Sequence, residues 1–120
     1  MPTKKIYTKD ENVKKEIRRL KKIFAGLDKN KLAITESLIE VAAFMRVSLD
    51  EIQSAINEKG YTEKYQNGAN QSGVKQSSLV EIHIAMTRNL ATVMKQLVDL
   101  APLEKRKDGK LVAFQRKYAT

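Results

Sequence analysis

Between Ser77 and Pro102 the apolar residues Leu79, Ile82, Met86, Leu90, Val93, Met94 and Leu97 recur at steps of three, four or one, with His83 on the same stripe. That spacing predicts a helix near 78–100 with one wide apolar face. Ser77 or Ser78 can cap its start, Glu81 stands three residues after Ser78 as in a capping box, and Pro102 marks its end. Earlier, Val13, Ile17, Leu20, Phe24 and Leu27 step by four and three, a narrow seam for a helix near 10–26 that Asp10 can cap and Gly26 can end. Asp28 can cap the next helix, near 29–46. It is the most apolar, with Leu32, Ile34, Leu38, Ile39, Val41, Ala42, Phe44 and Met45 on more than half its circumference, and Glu36 and Glu40 mark its wet side. Ser48 followed by Glu51 reads as a second capping box, so a break at Val47-Ser48 and a third helix near 48–59 are expected, with Leu49, Ile52, Ala55 and Ile56 as its stripe and Gly60 as its stop. Residues 60–77 are polar and Gly-, Asn-, Gln- and Ser-rich, without helical period, and are expected to form a polar loop. No alternating run is long enough to found a sheet.

The predicted fold is therefore all-α: about four helices over residues 10–102, a flexible basic N-terminus over 1–9, and a basic, partly flexible tail over 103–120 with a turn at Asp108-Gly109 and a short apolar patch at Leu111–Phe114. With 42% hydrophobic residues, 6% aromatic and no Trp, the core must be modest and aliphatic. The chain has no Cys, which removes disulfides and thiolate metal sites. Its longest apolar run, Val41–Met45, cannot span a bilayer, and the N-terminus does not read as a secretory signal.

Charge changes the picture. The net +9 is unevenly spread: +7 over residues 1–31, −2 over 32–100 and +4 over 101–120. Basic excess gathered into segments points to a polyanion partner, set against the plain alternative of solubilising tails. Lys14, Lys15, Arg18, Arg19, Lys21 and Lys22 coat the first helix and are the candidate DNA contacts, with Lys105, Arg106 and Lys107 as a second group. Leu79, Ile82, His83, Met86, Leu90, Val93, Met94 and Leu97 are the candidate oligomer interface, because so wide a stripe must pack on the chain, on another copy, or on both.

Catalytic patterns are weaker. Gly68-Ala-Asn-Gln-Ser-Gly-Val-Lys75 nearly copies a phosphate-binding loop, but Val74 displaces the Lys, Gln76 stands where a magnesium-binding hydroxyl belongs, and no buried strand leads in. A shaped turn is the better reading. Ala42 to Gly60 looks like a helix-turn-helix, yet its second helix would present Asp50 and Glu51 to a phosphate-lined groove. His83, the only His, has no carboxylate grouped with it and reads as a core or interface residue. No catalytic residue, cofactor or metal site is expected.

The string Tyr65-Gln-Asn-Gly-Ala-Asn-Gln-Ser-Gly-Val-Lys-Gln-Ser, preceded by Phe44-Met-Arg-Val-Ser-Leu-Asp-Glu-Ile-Gln and followed by a long helix ending near Pro102, resembles the small terminase subunit of tailed bacteriophages and prophages over about residues 20 to 102. The resemblance implies a non-enzymatic factor of viral genome packaging in the bacterial host cytoplasm. Such subunits assemble into homo-oligomeric rings, bind double-stranded viral DNA, and deliver it to a large subunit that holds the ATPase and nuclease. Related subunits often carry an N-terminal helix-turn-helix; here the best candidate is acidic. The rival readings are a small helix-turn-helix-like transcription regulator and a helical adaptor without a nucleic-acid role.

Overall fold

The computed structural model describes residues 8–26, 28–69, 71–101, 112–113 and 116–117. Along the chain run α1 (Lys9–Ile23), α2 (Lys29–Lys59), β1 (Thr62–Gln66), β2 (Ser72–Gln76) and α3 (Ser78–Leu100). The expected predominance of helix is present. Among the described residues the helices expected over 29–46 and 48–59 are one, residues 112–113 and 116–117 are also helical, and a small sheet is added.

Helix α1 starts one residue before its predicted bound, because Thr8 rather than Asp10 is the cap: its hydroxyl accepts from the Glu11 N–H at 3.2 Å. Asp10 and Glu11 fall instead in the first turn, where acidic groups suit the positive end of the helix. The helix closes at Ile23, and Gly26 turns the chain at φ 83°. Leu27, the last member of the predicted seam, lies outside the described residues, as do residues 1–7 and the predicted turn at Asp108-Gly109. The carboxylate of Asp28 then accepts from the Asn30 N–H at 3.1 Å and opens α2, as its position predicts.

The break expected at Val47-Ser48 is not there. Residues 29–46 and 48–59 form one helix of 31 residues, about 46 Å long. A Ser cap requires non-helical backbone, and that would interrupt a ladder in which each added residue contributes a bond at little nucleation cost. No Gly or Pro lies between Lys29 and Lys59 to force the interruption, and Val47, Ser48 and Leu49 are all buried in place. Ser48 is a mid-helix residue whose buried hydroxyl has no hydrogen-bond partner among the described residues.

The helix ends at Gly60, φ 85°, whose N–H reaches the Ile56 carbonyl at 2.7 Å. The expected polar loop follows as an antiparallel hairpin in the register Thr62↔Gln76, Glu63↔Lys75, Lys64↔Val74, Tyr65↔Gly73 and Gln66↔Ser72. Its strands carry no apolar alternation because neither face enters the core, so the pattern that betrays a half-buried strand is missing. Ser77 caps α3, accepting from the Leu79 N–H at 3.2 Å. At the far end Ala101 is extended, the conformation imposed on a residue that precedes proline.

One core joins α1, α2 and α3. Leu20 and Phe24 of α1 and its following turn, Ile39, Ala42, Ala43 and Leu49 of α2, and Leu90, Met94, Leu97 and Val98 of α3 form a single buried cluster with Ala101. Lys9, the first residue of α1, meets Glu51 at 3.1 Å. Helix α1 therefore begins level with Glu51, and the last two turns of α2 extend past it beside the start of α3, where the described Lys117 also lines the groove with Gln53 and His83. This two-helix arm carries the hairpin at its tip. Among the described residues no helix is long and apolar enough to cross a membrane.

Two outcomes check this packing. Ser48→Ala should raise stability by about 0.5–1 kcal/mol, since it removes an unpartnered buried hydroxyl and improves helix propensity, whereas a true cap would lose about 1 kcal/mol; urea unfolding distinguishes the two. Met94→Asp should cost at least about 3 kcal/mol and unfold the chain, while Ile82→Asp should leave helical circular dichroism intact, because Met94 is 0% exposed and Ile82 is 47% exposed.

Candidate nucleic-acid interface

Helix α1 is attached to the core through one edge: Leu20 and Phe24 are buried, and Val13, Ile17 and Ile23 pack half-buried against them. The rest of its cylinder is polar. Lys14, Lys15, Arg18, Arg19, Lys21 and Lys22 all lie on the helix surface, within about two and a half turns of one another along roughly 12 Å of axis. The helix holds seven basic and three acidic side chains, net +4. One acid acts inside the patch: Glu16 accepts from Arg19, whose Nε lies 2.8 Å away. Lys9 is set apart, since its ammonium pairs with Glu51 and sits 4.4 Å from the centre of the Phe44 ring. The six proposed cations thus share one helix surface. Lys105, Arg106 and Lys107 lie outside the described residues.

The proposed oligomer stripe on α3 is divided by the fold. Leu90, Met94 and Leu97 are buried in the chain's own core, and Val93 is half-buried against it. Toward the arm, Leu79, His83 and Met86 are half-buried and Ile82 is exposed. Surplus apolar surface appears elsewhere as well. Ile34, Val41 and Phe44 of α2 are 56%, 45% and 51% exposed, with Leu38 and Met45 half-buried beside them. Ile34, Leu38, Val41, Met45, Ser48, Ile52 and Ala55 step by four and three, but Ser48 is buried and Leu38 and Met45 pack against the chain's own core, so Ile34 and Val41 are the exposed members of the row. Residues of α2 that line grooves shared with α1 (Thr35, Ile39, Val47) or with α3 (Arg46, Leu49, Gln53) fall at other positions of the turn. The sequence carried this signal in the breadth of the α2 apolar arc, but it did not say which side α1 and α3 would cover.

Helix-turn-helix geometry is absent between Ala42 and Gly60 because α2 is continuous there. The acids that opposed groove reading are mid-helix groups with partners: Asp50 lies 3.7 Å from Arg46, and Glu51 pairs with Lys9. The near-copy of a phosphate loop is the hairpin tip and β2. Lys75 pairs across the strands with Glu63 at 3.3 Å. Its side-chain hydrogen bond, with those from the Ser78 hydroxyl and N–H, holds the Glu63 carboxyl below the usual carboxylate range. That Lys is committed to the hairpin rather than aimed at a ligand cradle. His83 lines an open groove of about 470 Å³ with Arg46, Asp50, Gln53 and Thr87, and its Nδ1 is 3.5 Å from the Thr87 hydroxyl. Among the described residues no group of three or more His, Asp or Glu side chains is placed to hold a metal ion.

No protein-family model, no curated protein and no solved structure matches this chain.

Proposed function

We propose that this chain is a non-catalytic DNA-packaging factor of the small terminase type, which oligomerises, binds double-stranded DNA and delivers it to a large ATPase and nuclease subunit in the bacterial host cytoplasm. The observation that carries the DNA reading is the α1 surface: six cations on one helix, fixed to the bundle by Leu20 and Phe24. Flexible Lys and Arg side chains on a rigid rod meet phosphates without demanding a base sequence. Repeated around a closed assembly, the same patch gains by effective concentration. The resemblance carried by the Tyr65–Ser77 string supplies the biological setting. Assembly is supported by the exposed Ile34 and Val41 on α2 and by the exposed Ile82 on α3. Head-to-tail contact with a second copy would cover these faces and leave α1 outward.

Replacing Arg18, Arg19, Lys21 and Lys22 together by Ala should weaken duplex binding and flatten its salt dependence, the logarithmic slope becoming shallower by about 0.9 for each phosphate no longer neutralised. A fluorescence-anisotropy salt series measures this, and equal binding by parent and variant would reduce α1 to a solvated face. In light scattering, the parent should be a homo-oligomer at micromolar concentration. Ile34→Asp with Val41→Asp should lower the mass toward that of one chain while circular dichroism stays helical; a monomeric parent would remove the assembly from this reading.

A further inference from the structure

The hairpin is built as a displayed surface rather than as packing. Its base is fastened to α3: the Glu63 carboxylate accepts from the Ser78 hydroxyl at 3.1 Å and from the Ser78 N–H at 3.4 Å, and the Ser77 N–H donates to the Tyr61 carbonyl at 2.8 Å. Across the strands the Tyr65 ring covers Gly73 so closely that a Cβ there would come within 2.9 Å of it. A cross-strand aromatic over glycine is one of the devices that pins strand register. Glu63, Tyr65, Gly73 and Lys75 therefore make one face, which serves the hairpin's own cohesion.

The opposite face holds three cross-strand pairs: Thr62 with Gln76, Lys64 with Val74, and Gln66 with Ser72. All six are exposed, and Val74 is 63% exposed although the hairpin has no core to lack it. Among the described residues no hydrogen bond or ion pair engages the side chains of Thr62, Lys64, Gln66, Ser72 or Gln76. We infer that this outward face of the hairpin reads base edges in the major groove of duplex DNA, supplying the sequence selectivity that the cations of α1 cannot. The inference rests on the DNA-binding reading above.

The chemistry on the face fits that task group by group. Gln can bond both N6 and N7 of adenine, Lys the O6 and N7 of guanine, Ser and Thr either kind of edge, and an apolar side chain the thymine methyl. The face carries no carboxylate, since Glu63, the hairpin's one acid, points the other way and is paired with Lys75. Dimensions agree. Two strands about 4.8 Å apart enter a groove about 12 Å wide, and side chains two residues apart on a strand, about 6.8 Å, match two base steps of about 3.4 Å. Two-stranded ribbons are an established way for backbone to enter that groove. Addition of a partner strand to the hairpin edge would use backbone groups and would not need these side chains.

The test uses the full chain. Duplexes enriched from a random pool by the parent protein are compared with scrambled duplexes at about 0.15 M salt. The expected parent preference is at least about 100-fold, given that specific sites commonly exceed non-specific ones by more. Gln66→Ala, Val74→Ala and Gln76→Ala combined should cut that preference by about 10-fold or more, while scrambled-duplex affinity, its salt slope and the thermal melt stay as in the parent. The quadruple Ala variant of α1 should weaken both duplexes in parallel and keep the preference. A parent that enriches no sequence, or a triple variant that keeps the full preference, overturns the inference while leaving non-specific binding by α1 standing. A parent that binds no duplex at all overturns the packaging reading and this inference with it.

Discussion

Everything in the fold hangs on the middle of α2. Ala42 and Ala43, fully buried with Ile39 beside them, give two other helices room to approach one rod closely: Leu20 and Phe24 arrive from the α1 side, and Met94 and Leu97 from α3. Small side chains at a crossing and large ones around it fill space at the density that cores require. Because both partners need the same stretch of α2, that stretch has to be continuous. The continuity in turn overrides the capping signal at Ser48. The buried hydroxyl with no partner among the described residues is the mark this leaves, a small local cost offset by a shared core.

The unequal lengths of the helices then distribute chemistry over the molecule. Helix α1, at 15 residues, covers part of α2, which has 31. What α1 does not reach becomes an arm, and the hairpin at its tip is held away from the core by its own contacts. Cations therefore gather on α1, and hydrogen-bonding side chains, most of them uncharged, gather at the far end. In the proposed reading these are two separate tasks: holding the backbone of DNA without regard to sequence, and choosing where to hold it. Ile34 and Val41, on the remaining side of α2, are exposed, and in the proposed reading a second copy covers them.

Much of this was legible in the chain where the determinant is local. Asp28 and Ser77 cap the helices they precede, Gly60 ends α2, and a residue before proline ends α3, because a cap or a stop depends on a handful of neighbouring backbone groups. The basic coat of α1 was legible for the same reason: charged side chains at the non-seam positions of a helix must lie on its surface. The hairpin was not, since strand prediction relies on a buried face and neither of its faces is buried.

The sequence by itself determined that the described chain is mostly helical and where charge is carried. Only tertiary structure decided whether Ser48 begins a helix or sits inside one, because the choice depends on what Val47 and Leu49 bury against. It also decided the division of the α3 stripe. Leu79 and Leu97 belong to one period and are indistinguishable by spacing, yet Leu97 is buried in the core cluster that α1, α2 and α3 share, while Leu79 stands half-buried on the arm, past the start of α1. Periodicity states that a face is apolar. Which neighbour covers it depends on helix lengths and on where the chain turns, and those are properties of the assembled fold.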